Sequence, residues 1–361
     1  MKNSSKLYNF ERAIISEVAS LKACEKISER NKEMILEFKD YLMSNNVGTP
    51  RVMRYINALK QLTIFLQKDL DTITMKDSER LIAMLNQSIY SPWTKSTYKT
   101  MFKRVIKWVK GTECYPDEVK WIKTRIKRNE IRLPSEGDLM TEDDVAKIIE
   151  AAEHPRDKAL ISLIYESGCR IGEIASLQIK NIEFDEIGSL IVVVGKTGSR
   201  RMRIISSTPF LATWLNIHPL KNDRESCLWV NHTGKGKTNP IKYTTYCKII
   251  KNAVKKAGIT KRFNPHLFRH SRATFMAKHL TEFQMNQYFG WVQGSNMAAT
   301  YVHLSGKDLD DSICKINGLN ILKEKTESVL KPMKCPRCEM INSALDKFCS
   351  RCGGVLDIET A

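Results

Sequence analysis

No stretch of this 361-residue chain approaches about 18 consecutive apolar residues, so no membrane-spanning helix is expected. The opening MKNSSKLYNFERAIISEV lacks the apolar run of a secretory leader. The expectation is a cytoplasmic protein with no membrane partner. No internal repeat is evident, which argues against a solenoid. Acid is also short. Asp and Glu number 40 against 58 Lys and Arg, a net charge of +18. A surplus of that size calls for a polyanionic partner. The cations are interleaved with apolar residues and not gathered in a tail, so they should form folded basic faces.

What is present is enough sequence for two or three domains. Ten cysteines in a reducing compartment are not expected to form disulfides. Six are scattered: Cys24, Cys114, Cys169, Cys227, Cys247 and Cys314. Those read as small buried hydrophobes.

Residues from about Leu7 to Arg128 have few glycines and apolar residues at spacings of three and four, and read as helices. Thr49-Pro50 opens one, with Met53, Ile56, Leu59 and Thr63 on its apolar side. Ser91-Pro92 precedes another, with Met101, Phe102, Val105 and Val109 opposite Lys99, Lys103, Arg104, Lys107 and Lys110. Trp121, Ile122 and Ile126 repeat the pattern beside Lys123, Arg125, Lys127 and Arg128. Lysine-faced helices are commonly just solvated. Several together in a basic chain suit contact with a phosphate backbone, which positions a duplex without reading it. Asn129 to Asp138 reads as a linker.

Thr141, followed by Glu142, Asp143 and Asp144, should cap a helix. A second apolar helix, containing Ala159 to Tyr165, should stop near Gly168. Ile171, Ile174 and Leu177 then form a buried stripe, leaving Arg170 and Glu173 on another side. They form either a weak surface pair or an arginine held at a helix start for bidentate phosphate contact. Leu190–Val194 and Met202–Ile205 read as two strands of a hairpin with a longer loop, Gly195 to Ser199, carrying Lys196. Gly195-Lys196-Thr197 is not a P-loop. The glycine required five positions earlier is Leu190, and no helix follows the turn.

Asn264-Pro265-His266-Leu267-Phe268-Arg269-His270 has an N-cap, a proline at the first helical position, and His266 and Arg269 three apart. Such a helix start suits a phosphate. Thr281 with Gln284 opens a further helix through a capping box, ending at Gly290. Trp291 and Tyr301 follow. Tyr288 lies inside the amphipathic stretch, where a packing role is expected.

This ordered set resembles the tyrosine recombinase (phage-integrase-type) family, with wording close to archaeal integrases. The resemblance covers about Leu139 to Gly318. It implies a mostly α fold with a small β-hairpin or sheet (α+β). Its domains would be a helical core-binding (SAM-like) DNA-binding domain over 1–128, a linker over 129–138 and a catalytic domain over 139–318. A linker or subunit-exchange segment would cover 319–332. The implied site is Arg170, Lys196, His266, Arg269, Trp291 and Tyr301. Tyr301 would form a 3′-phosphotyrosyl link to double-stranded DNA, with no metal or ATP in catalysis. The arginines would grip the phosphate, Lys196 would act as acid, and His266 would assist. His270 would be a support, and His303 has no assigned role. Trp291 stands where histidine is common; it can donate a hydrogen bond but not move a proton. The resemblance also implies a tetramer on two DNA sites. The alternatives are a type IB-like topoisomerase and a catalytically inactive DNA-binding protein.

Cys335-Pro-Arg-Cys338 and Cys349-Ser-Arg-Cys352 are two Cys-x-x-Cys knuckles whose spacing suits one structural zinc, defining a ribbon over 333–361. Two redox pairs or unconnected thiols are the alternatives. Four thiolates leave no open position for catalysis, and so short a module should need its metal to fold. Its partner could be DNA, a neighbouring subunit or an accessory protein.

Overall fold

The computed structural model of the chain describes residues 10–127, 130, 136–234, 236–261, 263–302, 313, 314, 316–318 and 328–356. The expected linker at 129–138, the segment 319–332 and His303 fall wholly or largely outside those residues. Two compact units are present, Asn9–Leu133 and one including Pro134–Ala361.

The first unit is helical: α1 Phe10–Lys22, α2 Glu29–Ser44, α3 Thr49–Leu66, α4 Met75–Gln87, α5 Pro92–Val109 and α6 Asp117–Lys120. Caps set the boundaries. The Ser91 hydroxyl accepts from the Thr94 amide at the start of α5, and Thr74 forms a capping box with Asp77 at α4. The buried stripe of α3 runs through Val52, Tyr55, Ile56, Leu59 and Leu62, one residue off the expected start at Met53. The expected helix around Trp121 to Ile126 is absent; only Asp117–Lys120 is helical. The Lys103 ammonium donates to the carbonyls of Lys120 and Ile122 at its end, 3.1 Å each. That removes Lys103 from the free basic face.

The second unit contains α7 Glu142–Ala151, α8 Pro155–Ser167 and α9 Ile171–Ala175. An antiparallel sheet follows, β1 Ile182–Asp185, β2 Gly188–Gly195 and β3 Gly198–Ile204, in the order β1-β2-β3. Then come α10 Thr208–Asn216, α11 Tyr243–Lys256, α12 Pro265–Met276, α13 Glu282–Phe289, α14 Met297–Val302 and the short strands β4 Met333–Lys334 and β5 Ile341–Asn342. The fold is therefore mostly α with small sheets. Apolar α8 lies at the centre: Ala159, Leu160, Ile161, Leu163 and Ile164 are all buried. Gly168 stops it at φ 56°, a conformation that suits glycine.

The hairpin differs from expectation. Gly195 pairs with Gly198, so the loop is the two residues Lys196-Thr197 and not a longer one. Gly198 at φ 113° makes the tight reversal possible. Of the six scattered cysteines only Cys169 is buried; Cys114 is exposed and the others are half-buried. Cys24 and Cys227 pack at the edges of the two hydrophobic cores and so are only partly covered.

Candidate active site

Asn264 caps α12 as its sequence suggests, its side chain accepting from the Leu267 amide at 3.1 Å. The helix divides the motif. His266 is exposed near the helix start, while Arg269, one turn on, is 6 % exposed. Arg269 donates to the Gly168 carbonyl at 2.9 Å and the Phe289 carbonyl at 2.8 Å. Its guanidinium lies 5.1 Å from the Phe289 ring centre and 5.4 Å from that of Trp291. Burial, then the charge of Arg170, brings its pKa down to about 10, still far above neutral. Two bonds leave donors of its five-proton fork unused.

Gly290, at φ 63°, ends α13 and turns the chain into Trp291. The Trp291 indole stacks on Tyr301, ring centres 5.4 Å apart and 3° from parallel. Its Nε1 is buried with no partner among the described residues. An orphaned indole donor of this kind needs an acceptor supplied from elsewhere. Tyr301, on α14, is 3 % exposed. Its phenol oxygen is 2.8 Å from His270 Nδ1. Burial raises the Tyr301 pKa, against the pull of Arg269 and Arg170. Burial also lowers that of His270, helped by the charges of His266 and Arg269. A neutral imidazole beside the phenol can accept its proton.

Tyr288, the rival tyrosine, donates to the Glu166 carbonyl at 2.9 Å, and burial raises its pKa to about 12. It is a packing residue. Lys196 stands exposed at the hairpin tip, with no hydrogen bond or ion pair among the described residues. Its neighbour Thr197 donates to the Gly290 carbonyl at 3.0 Å.

Arg170 caps α9 and is 36 % exposed at its side chain. Its Nη1 is 3.1 Å from Glu173 Oε1, and its amide 3.0 Å from Oε2. The pair is not a surface pair. Glu173 is 4 % exposed and also bound by Arg200. Burial pushes the Glu173 carboxyl up, but the Arg200 hydrogen bonds and charge outweigh it and the pKa is lowered. Arg200 and the contact of His270 were not singled out from sequence as parts of the site. Both are contacts between residues far apart in the chain.

The four C-terminal sulfurs lie within 4.8 Å of one another. Cys335–Cys352 and Cys338–Cys349 are separated by 3.6 and 3.5 Å. Those gaps exceed a disulfide bond and match the roughly 3.8 Å edge of a zinc tetrathiolate. Leu330, beside this knuckle, is buried in the same core cluster as α8, and Leu345 packs against it. The segment thus shares the second unit's core.

A helical scaffold with a small sheet thus gathers a buried tyrosine, a histidine and arginines around one helix end. The chain matches the phage integrase family over residues 138–307. It is 26 % identical to tyrosine recombinase XerA of Pyrococcus horikoshii over 290 residues, 79 % of this chain and 94 % of the relative. It is 28 % identical to the XerA of Pyrococcus furiosus over 297 residues, 80 % and 96 % respectively. In fold it is similar to XerH recombinase bound to palindromic difH substrate, with a TM-score of 0.60, 19 % identity and coverage of 88 % and 98 %. A lambda integrase dimer bound to a core site gives a TM-score of 0.59 at 15 % identity, with coverage of 74 % and 76 %.

Proposed function

We propose that this protein is a site-specific DNA recombinase that cuts and rejoins duplex DNA through Tyr301. The observation that carries the reading is the meeting of Tyr301 with His270 and Trp291 beside Arg269. The phenol oxygen attacks the scissile phosphorus, forming a 3′-phosphotyrosyl bond and releasing a 5′-hydroxyl. Arg170 and Arg269 bind the non-bridging oxygens as charge builds there. Lys196, on its hairpin tip, protonates the leaving 5′-oxygen. The unpartnered Trp291 Nε1 donates to the phosphate, and exposed His266 assists. His270 takes the phenol proton. Attack by the 5′-hydroxyl of a second strand reseals the backbone, so neither ATP nor a catalytic metal enters. A phenol 3 % exposed must leave its pocket to reach a duplex, so DNA binding shifts α14.

The first unit supplies backbone contacts through the cations of α3 and α5. The relatives of similar fold include a recombinase dimer on DNA and a lambda integrase tetramer bound to a Holliday junction. A tetramer pairing two DNA sites is the corresponding assembly here, in the cytoplasm on the nucleoid. Cys335, Cys338, Cys349 and Cys352 hold one structural zinc, which fixes the ribbon against the catalytic core.

The test is incubation with a plasmid carrying two copies of a trapped target site. Deletion or inversion between the copies is expected. Relaxation of supercoils without exchange would replace this reading with a topoisomerase, and binding without cleavage with an inactive DNA-binding protein.

A further inference from the structure

Arg200 lies on β3, four residues beyond Lys196, on the inward side of the strand. Its side chain is 10 % exposed and every nitrogen of its guanidinium is engaged. Nε donates to the Tyr288 carbonyl at 3.0 Å. Nη1 and Nη2 reach the two carboxylate oxygens of Glu173 at 3.3 and 2.8 Å, and Nη2 is 3.2 Å from the Cys169 sulfur. The site has been left narrow. A Cβ on Gly290 would lie 2.8 Å from Arg200 Nη1, and one on Gly195 would lie 2.6 Å from Glu173 Oε1.

Three segments meet at this one guanidinium. The start of α9 carries Arg170, the hairpin carries Lys196, and the turn after α13 carries Trp291. The carboxylate of Glu173 is the joint. An Arg–carboxylate pair is strongest when the fork closes on both oxygens. Here Arg200 occupies both, so Arg170 braces on Glu173 through Nη1 alone. Among the described residues the rest of the Arg170 fork has no hydrogen-bond partner. Without Arg200, Glu173 would be free to take Arg170 in a closed pair, which competes with a phosphate for the same donors.

We propose that Arg200 is a positioning residue of the strand-transfer site: it holds Glu173 so that Arg170 presents its fork to the phosphate, and it fixes the Lys196 hairpin to the Trp291 turn. The inference rests on Arg170 acting as a phosphate ligand. A buried ion pair is often replaceable at little cost in stability, so a purely structural role gives a different outcome from this one.

The experiment compares wild type, Arg200→Lys and Arg200→Met in single-turnover cleavage of a nicked duplex. The substrate carries either an ordinary phosphodiester or an uncharged methylphosphonate at the scissile position. Arg200→Lys is expected to slow phosphodiester cleavage on the order of 100-fold, as for a misplaced catalytic group, with DNA affinity within about twofold. On the methylphosphonate, which has no charge for Arg170 to neutralise, the loss should shrink at least about tenfold. Arg170→Ala with Arg200→Lys should be at most about tenfold slower than Arg170→Ala alone, the part owed to the hairpin. An unchanged rate, an equal loss on both substrates, or fully additive losses would overturn the proposal. Should neither Arg200 variant fold, Glu173→Gln weakens the same joint while keeping its shape and carries the same comparison. A wild type that forms no Tyr301-dependent adduct would undo the recombinase reading itself, and this inference with it. An active wild type indifferent to Arg200 would undo only this inference.

Discussion

Arg269 serves two purposes at once. It bridges the end of α8 to the end of α13 through the Gly168 and Phe289 carbonyls, and it keeps spare donors for a phosphate. Arg269→Ala should therefore lower cleavage on the order of 100-fold or more, as for loss of one preorganised donor. It should also destabilise the fold by about 1–3 kcal/mol, since two buried carbonyls lose their partner. Single-turnover cleavage and thermal melting measured on one preparation check both; a near-normal cleavage rate would contradict the role given to this residue. Tyr301 and His270 illustrate what sequence leaves open. The residue types were readable in order along the chain. The bond between them joins residues 31 positions apart, so the local pattern of α12 did not assign it.

At the scale of elements, the sequence was most legible where a local cap decides the structure. Thr141, Asn264, Thr281, Gly168 and Gly290 all begin or end helices as their side chains or φ preferences require. It was least legible where distant groups decide. The carbonyls at the start of the non-helical Trp121 stretch are taken by Lys103, and buried Glu173 on α9 is paired by Arg200 from the hairpin. The tip of that hairpin is exposed, so Lys196→Ala should slow cleavage while leaving DNA affinity and the melting temperature unchanged. Equal cleavage rates for the variant and wild type would remove its acid role. The ribbon behaves differently, because Leu330 and Leu345 share the second unit's core. Treatment with a strong chelator should lower the melting temperature of the whole unit and release about one zinc per chain. Chelation with no change in melting, or a chain that purifies without zinc, would argue for unligated thiols.

For the molecule as a whole, acid is the informative stress. Burial lowers the pKa of four buried or half-buried histidines, His154, His218, His232 and His270. His154 and His232 stack with ring centres 3.7 Å apart, so charging either also meets the other. A group whose pKa is lower folded than unfolded binds protons more readily when unfolded. Its contribution to stability is present above the unfolded value of 6.5 and is lost as pH falls through the folded values. The melting temperature should thus hold near pH 7.5 and fall steadily toward pH 5. A flat profile over that range would mean that these rings are more hydrated than their packing suggests.

The central claim is that Tyr301 makes a covalent bond to DNA. Its most direct measurement is denaturant trapping of protein–DNA adducts after incubation with fragments of the source genome. The wild type should give an adduct at discrete sites, with the DNA attached at Tyr301. Tyr301→Phe should bind the same fragments and give none. An adduct that persists in Tyr301→Phe, or one attached at another residue such as Tyr288, would contradict the account.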